Sequence, residues 1–221
     1  MKNTNSIPFA AIVSTIRRTV RPFKDTALTE VAESTRDPFR VLISCIISLR
    51  TKDEVTAEAS ARLFAHAATP EKMRRLSAET IETLIYPAGF YRNKAKNILQ
   101  VCDILVEQHG GRVPDRLEDL LALPGVGRKT ANLVLSVGFR IPAICVDTHV
   151  HRIANRMGWV QTKTPEQTEM ALMEVLPKKH WIEINDLLVS FGQNICKPIS
   201  PFCSRCPVAA HCTRVGVERS R

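Results

Sequence analysis

Aromatic residues are scarce: 2 Trp, 2 Tyr and 8 Phe make up 5% of the 221 residues. Sheets draw heavily on aromatic and β-branched side chains, so this scarcity, beside plentiful Leu, Ala, Ile and Glu, favours helices. Long apolar runs are missing too. The longest, Val41 to Leu49, is interrupted by Ser44 and Ser48 and falls far short of the roughly 20 residues that a spanning helix needs. Met1-Lys2-Asn3-Thr4-Asn5-Ser6 holds neither an apolar block nor a small-residue cleavage site. The expectation is a protein that stays in the cytoplasm, where thiols are reduced and seven cysteines do not make a disulfide scaffold. Acidic residues are in deficit, 22 against 31 Lys and Arg, a formal charge of +9. Such an excess suggests a polyanionic partner, most often nucleic acid, with solubility alone as the plain alternative. No repeat or low-complexity tract is present, and the 44% hydrophobic and 24% charged content excludes wholesale disorder, a collagen-like sequence and a coiled-coil rod.

What is present reads as helices between short Pro/Gly turns. Thr69-Pro70-Glu71 supplies an N-cap, a proline at the first helical position and an acidic first turn. Ser77-Ala78-Glu79 starts a helix that ends before Pro87. Arg92 to His109 carries Ile98, Val101, Ile104 and Leu105 on one face, and Gly110-Gly111 stops it. Asp115 to Glu118 predicts a capping box for a helix through Leu123, and Thr164 with Gln167 another. Arg140 to Val146 is rich in β-formers but short and broken by Pro142. The expected class is all-α, with a domain boundary near Arg140-Ile141-Pro142. The N-terminal helix, with Ile12, Val13 and Ile16 on its apolar side, can pack on either part.

Four of the cysteines, Cys196, Cys203, Cys206 and Cys212, are spaced C-x6-C-x2-C-x5-C, so four thiolates can converge on one metal centre. A structural zinc site usually pairs two short ligand knuckles. Here one knuckle is flanked by longer arms, which suits a [4Fe–4S] cluster, and His211 keeps a mixed-ligand zinc site open. Pro198, Pro201 and Pro207 stiffen the intervening loops. Cys45, Cys102 and Cys145 lie in apolar company and read as small buried hydrophobes.

Residues 121–135 describe a short helix ending at Pro124, a Gly125-Val126-Gly127 turn, and a second helix opening on Arg128-Lys129-Thr130. Glycines allow a tight reversal, and the new N-terminus offers free amides and a favourable dipole to a phosphate. The bland alternative is a plain corner between helices. Lys129, in the first turn, is set against the dipole and beside Arg128. Positive neighbours and partial burial would favour its neutral, nucleophilic form; a phosphate-contacting lysine is the simpler role. Asp147, in Val146-Asp147-Thr148-His149, precedes a helix with Val150, Ile153, Ala154 and Met157 in periodic positions, and reads as its N-cap. A capping carboxylate is fixed and can still offer an oxygen to chemistry. His149 and His151 read as base-contacting or as polar surface, not as a metal pair, because residues two apart do not share a helix face.

Leu123 to Asn132, Val146-Asp147-Thr148-His149 and the four-cysteine spacing together resemble the endonuclease III family of DNA repair enzymes, in the helix-hairpin-helix glycosylase superfamily. The likeness runs over roughly residues 10–215. It implies the helix-hairpin-helix DNA glycosylase fold: a six-helix barrel domain over 31–141 and a [4Fe–4S] cluster domain discontinuous over 1–30 and 142–221, the N-terminal helix joining the C-terminal half. It also implies a monomer, nucleoid-associated in a bacterium, that binds double-stranded DNA containing damaged bases or abasic sites and flips the lesion out. The implied activity is a bifunctional glycosylase/AP lyase that removes oxidised pyrimidines and cleaves 3′ to the abasic site by β-elimination. Lys129 would attack C1′, Asp147 would assist, Gly125, Val126, Gly127, Arg128, Thr130 and His149 would contact DNA, and Cys196, Cys203, Cys206 and Cys212 would hold the cluster. Two positions depart from the family. Arg50 stands for the usual glutamine in Ser48-Leu49-Arg50-Thr51-Lys52-Asp53, which helps fill the gap left by the flipped nucleotide. Phe90 stands for a leucine-like wedge, a role a bulky apolar side chain can keep; the bland alternative is a core ring on Tyr86. The 196–203 loop holds one basic residue, Lys197, fewer than the family pattern. Arg92, Lys94 and Lys96 are further candidates for phosphates, whereas Arg17, Arg18, Arg21 and Lys24 read as a solvated face. A mismatch- or adenine-directed glycosylase and a non-catalytic DNA-binding module with a structural metal remain the alternatives.

Overall fold

Helix starts follow the local signals closely. In the computed structural model, which describes residues 7–23 and 37–221, the side chains of Thr69, Ser77 and Thr164 each accept a hydrogen bond from the backbone N–H three residues on, satisfying an amide that a helix start leaves open. Gly110 ends the longest helix in a left-handed conformation, φ +59°, and the Gly111 N–H reaches back to the Leu105 carbonyl. The box expected at Asp115 does not form. The helix starts one residue later, capped by the backbone of Arg116 without a side-chain bond, and stops at Leu121. The Gln167 side chain bonds the Lys163 N–H, one residue ahead of the Thr164 cap. Among the described residues there is no strand; 140–146 runs as irregular chain.

The chain divides into two compact units, 26–141 and 1–25 with 142–221; the first junction lies outside the described residues, as do Lys24 and the Met1–Ser6 terminus. The middle unit contains α2 (Pro38–Ser48), α3 (Asp53–His66), α4 (Pro70–Met73), α5 (Ala78–Ile85), α6 (Tyr91–His109), α7 (Leu117–Leu121) and α8 (Arg128–Leu133), the last continued by a wider π turn, Val134–Gly138. Its centre is α2, buried from Phe39 through Ile47 except at Arg40. Here the longest apolar run of the sequence finds its use: a helix apolar on every side must be wrapped by others, and α3, α6, α8 and the π turn wrap it.

The other unit joins α1 (Phe9–Val20) to α9 (Thr148–Arg156), α10 (Pro165–Val175) and α11 (Ile184–Asn194). Phe9, Ile12, Val13 and Ile16 of α1 share a core with Val150, Ile153, Leu188 and Phe191. So the N-terminal helix packs with the C-terminal segment, and an Arg17–Glu183 ion pair at 2.7 Å reinforces the α1–α11 seam. Arg17 is therefore paired rather than merely solvated. Beyond α11 only 3₁₀ turns remain, Cys203–Arg205 and Ala209–His211. Among the described residues no helix is long and apolar enough to cross a membrane.

Candidate DNA-processing site and cysteine centre

The hairpin is built by close approach. Leu123 and Val126 are buried and anchor the turn, whose Val126 N–H bonds the Leu123 carbonyl. Gly125 has φ +76°, and a Cβ there would lie 2.5 Å from the Asn97 side-chain amide of α6, so both the turn and the packing require glycine. Gly127 caps α8 without a side chain, so no side-chain cap occupies the amides of its first turn. Thr130 is buried, Arg128 half-buried and Lys129 exposed. The partial burial expected of Lys129 is thus corrected: a residue at the second position of a helix that starts at the surface points outward. The fully buried Cys45 thiol is pushed up to about 12 by desolvation, against an opposing pull from the Lys129 charge.

Asp147 caps α9 as its position suggests. Its Oδ1 accepts from the N–H groups of His149 at 2.8 Å and Val150 at 2.9 Å, so the cap occupies one oxygen and Oδ2 takes no part in it. His149 is half-buried, and its Nδ1 lies 3.1 Å from Arg152 Nη2. His151 is not polar surface: its Nδ1 lies 2.6 Å from Thr168 Oγ1, inside a network with Thr162 and Asn155.

The four spaced cysteines line one pocket together with Phe191, Ile195, Val208 and Arg156. Among the described residues no three His, Cys, Asp or Glu side chains converge tightly enough to hold a single metal ion. Four thiols and no carboxylate line this pocket, a donor set that fits an iron–sulfur cluster held by cysteine. A second observation agrees. Arg156 is 8% exposed, and its guanidinium bonds the Lys197 and Pro198 carbonyls and Cys196 Sγ at 3.4 Å, with no carboxylate partner among the described residues. A buried cation without a carboxylate calls for an anionic neighbour, which a thiolate-bound cluster supplies. Arg152 likewise bonds the Cys196 carbonyl at 2.9 Å. The sequence reading missed both arginines. The available signal was two arginines four apart on α9, beside its apolar positions Val150, Ile153 and Ala154. Cys45, Cys102 and Cys145 are buried, as their company suggested.

Arg50 and Phe90 come together. Each is exposed, Phe90 at 61%, and the guanidinium sits over the ring at 5.5 Å. Phe90 does not pack on Tyr86, which instead meets Tyr91 edge to face. Ser48 to Thr51 form a type II turn, closed by the Thr51 N–H on the Ser48 carbonyl, with Arg50 at φ +53° in the place glycine usually takes. Phe90 sits at φ +57° in a second turn, closed by the Tyr91 N–H on the Ala88 carbonyl. Left-handed backbone costs an ordinary residue about 1–2 kcal/mol. The expectation that Lys94 meets phosphates is corrected. It is 5% exposed and turned inward, its ammonium donating to the carbonyls of Ile47 and Leu49 at 2.6 Å each and to Thr51 Oγ1 at 2.8 Å. Burial pushes it down to about 8. Arg92 and Lys96 remain exposed.

Comparison with known proteins decides the family. The family model for HhH-GPD superfamily base excision DNA repair proteins matches residues 43–178. Endonuclease III of Thermotoga maritima is 56% identical over 80% of this chain and 83% of its own. The chain belongs to the endonuclease III family. Endonuclease III of Escherichia coli K12 is 40% identical over 79% of this chain and 83% of its own. The chain spans only 47% of a chloroplastic endonuclease III homolog of Arabidopsis thaliana, at 46% identity. A solved structure of endonuclease III trapped as a covalent intermediate with DNA matches with a TM-score of 0.83 and 34% identity, covering 97% of both chains. As a member of this family the protein is a base excision repair DNA glycosylase with AP lyase activity.

Proposed function

We propose that the protein removes oxidised pyrimidines from double-stranded DNA and cuts the strand 3′ to the resulting abasic site, with Lys129 as nucleophile. The observation that carries this reading is an exposed lysine in the first turn of the hairpin's second helix, in a chain similar to an endonuclease III that has been trapped covalently on DNA. Lys129 Nζ, once deprotonated, attacks C1′ of the flipped nucleotide. The C1′–N bond breaks, the base leaves with its electron pair and takes up a proton, and the sugar opens to a Schiff base. That iminium acidifies C2′; loss of a C2′ proton expels the 3′ phosphate, breaking the strand. Asp147 takes the lysine proton through the oxygen its cap leaves unused; once that proton passes to the departing base, the restored carboxylate offsets the positive charge of the sugar iminium. Gly125, Val126, Gly127, Arg128 and Thr130 hold the phosphate backbone through amides and charge without reading sequence, and His149 makes a further contact to DNA. Arg50 and Phe90 enter the stack where the nucleotide leaves.

In the same reading the middle unit is the six-helix barrel domain and the other unit the cluster domain. Cys196, Cys203, Cys206 and Cys212 would hold a [4Fe–4S] cluster. When bound, it supplies rigid four-point ligation that fixes the shape of a segment with little regular structure. Arg156 offsets its charge and Arg152 ties the segment to α9.

Borohydride, which reduces a Schiff base to a stable amine link, tests the reading on duplex DNA carrying a thymine glycol or an abasic site. Native protein is expected to be trapped on both, and Lys129→Gln on neither while still binding DNA. Trapping on abasic DNA alone would remove the oxidised-pyrimidine assignment. Undiminished strand cutting by Lys129→Gln would remove the nucleophile.

A further inference from the structure

Among the described residues Lys94 is the most deeply buried Lys or Arg, the proposed chemistry leaves it without a task, and its bonds are unusual. An ammonium has three protons to donate, and here all three are taken: by Ile47 O, Leu49 O and Thr51 Oγ1. The first two acceptors are the carbonyls of the last turn of α2 and of the residue before Arg50. The third, the Thr51 hydroxyl just after Arg50, also accepts the N–H of Gly89 at 3.0 Å, just before Phe90. Lys94 itself lies in the first turn of α6, four residues after Phe90, and its own N–H bonds the Phe90 carbonyl. One side chain thus clamps the Arg50 turn from below and joins it to the Phe90 turn. The approach is so close that a Cβ on Gly89 would lie 2.5 Å from the Arg50 carbonyl oxygen.

Both turns carry a bulky exposed residue in left-handed backbone, where glycine is the ordinary choice. Such conformations persist only where surrounding structure over-determines them. The tips also meet: Arg50 lies over the Phe90 ring. Arranged in this way, the two side chains project as one stiff object in place of two independent loops.

We propose that Lys94 is a positioning residue that locks the 48–51 and 88–91 turns together, so that Arg50 and Phe90 enter duplex DNA as a single preformed probe. This rests on the reading above, that the two residues enter the stack. Its physical content is preorganisation. Ordering two loops at the moment of insertion would subtract from the interaction that unstacks the bases, and a clamp formed on folding removes that cost.

The demand for a probe exists only where there is a stack to open. The test therefore compares one abasic-site strand alone and in a duplex, using native protein, Lys94→Met and Thr51→Val, with 2-aminopurine opposite the abasic site in the duplex. Lys94→Met keeps the stem and removes the charge; Thr51→Val keeps the shape and removes the shared acceptor. Relative to native, kcat/KM of Lys94→Met on the duplex is expected to fall about 10-fold or more, with strand cutting of the single strand within about 2-fold. The fluorescence rise that reports unstacking should weaken in parallel. Thr51→Val should show the same split, smaller. Equal loss on both DNAs would assign Lys94 to general folding and overturn the proposal, as would unchanged duplex cutting and fluorescence in both variants. Native protein that cuts neither DNA would instead overturn the lyase reading beneath it.

Discussion

Two buried cations hold two irregular stretches of this chain in different ways. In the middle unit Lys94 clamps turns that spring directly from α2 and α6, helices with packed apolar faces; the clamp adds alignment to a scaffold that already stands. In the other unit Arg156 binds the Lys197 and Pro198 carbonyls and the Cys196 sulfur, within a segment whose regular structure consists of single 3₁₀ turns. There the arginine is one of the few fixed tie points the segment has. Hydrogen bonds from a buried cation can refine an apolar scaffold, but a segment without such a scaffold needs further cross-linking, which the proposed four-cysteine cluster would provide.

Three measurements would break or sharpen this contrast. The largest effect is expected from Cys206→Ser in the cluster-loaded protein. Visible absorbance from the cluster should fall sharply, and residues 196–221 should become open to limited proteolysis while the middle unit stays resistant. Uniform proteolysis of both units would end the comparison. Next is Ile46→Ala in α2, a fully buried side chain. Removing its methyl groups should cost about 2–5 kcal/mol, read from the urea midpoint, and should lower the melting of the middle unit with little change in cluster absorbance. The smallest is Glu183→Gln. Burial raises the Glu183 carboxyl, but hydrogen bonds from Arg17 and His180 outweigh this and hold it below the usual carboxylate range. A lowered folded-state value means the unfolded chain binds the proton first as pH falls, so the contribution is full above the ordinary carboxylate value and is lost as pH drops through the folded one. With Arg17 about half exposed, a loss of about 0.2–1 kcal/mol near neutrality is expected. Denaturation curves of Glu183→Gln and native protein should converge toward acid; a gap that widens there would reverse the sign.

Much of this architecture could be read locally. Thr69, Ser77 and Thr164 announce their helices because a capping bond spans three residues and needs nothing from the rest of the chain. Gly110 and Gly125 mark stops and turns through their own backbone freedom. The capping-box pattern at Asp115 failed because the same letters permit a start one residue later. The hairpin, Asp147 and the cysteine spacing carried the family resemblance for the same reason: short segments bring their own geometry.

What the amino-acid sequence alone determined is therefore the helical class, several helix starts and stops, and the family resemblance. Tertiary structure decided where the long cationic stems go. Lys94, Arg92 and Lys96 are near neighbours on one helix, yet only Lys94 turns inward, because three acceptors from residues 47–51 meet it there. Arg156 is drawn in by carbonyls forty residues further along. Burial of a charge requires partners whose positions exist only once distant segments have packed, and no local pattern encodes them.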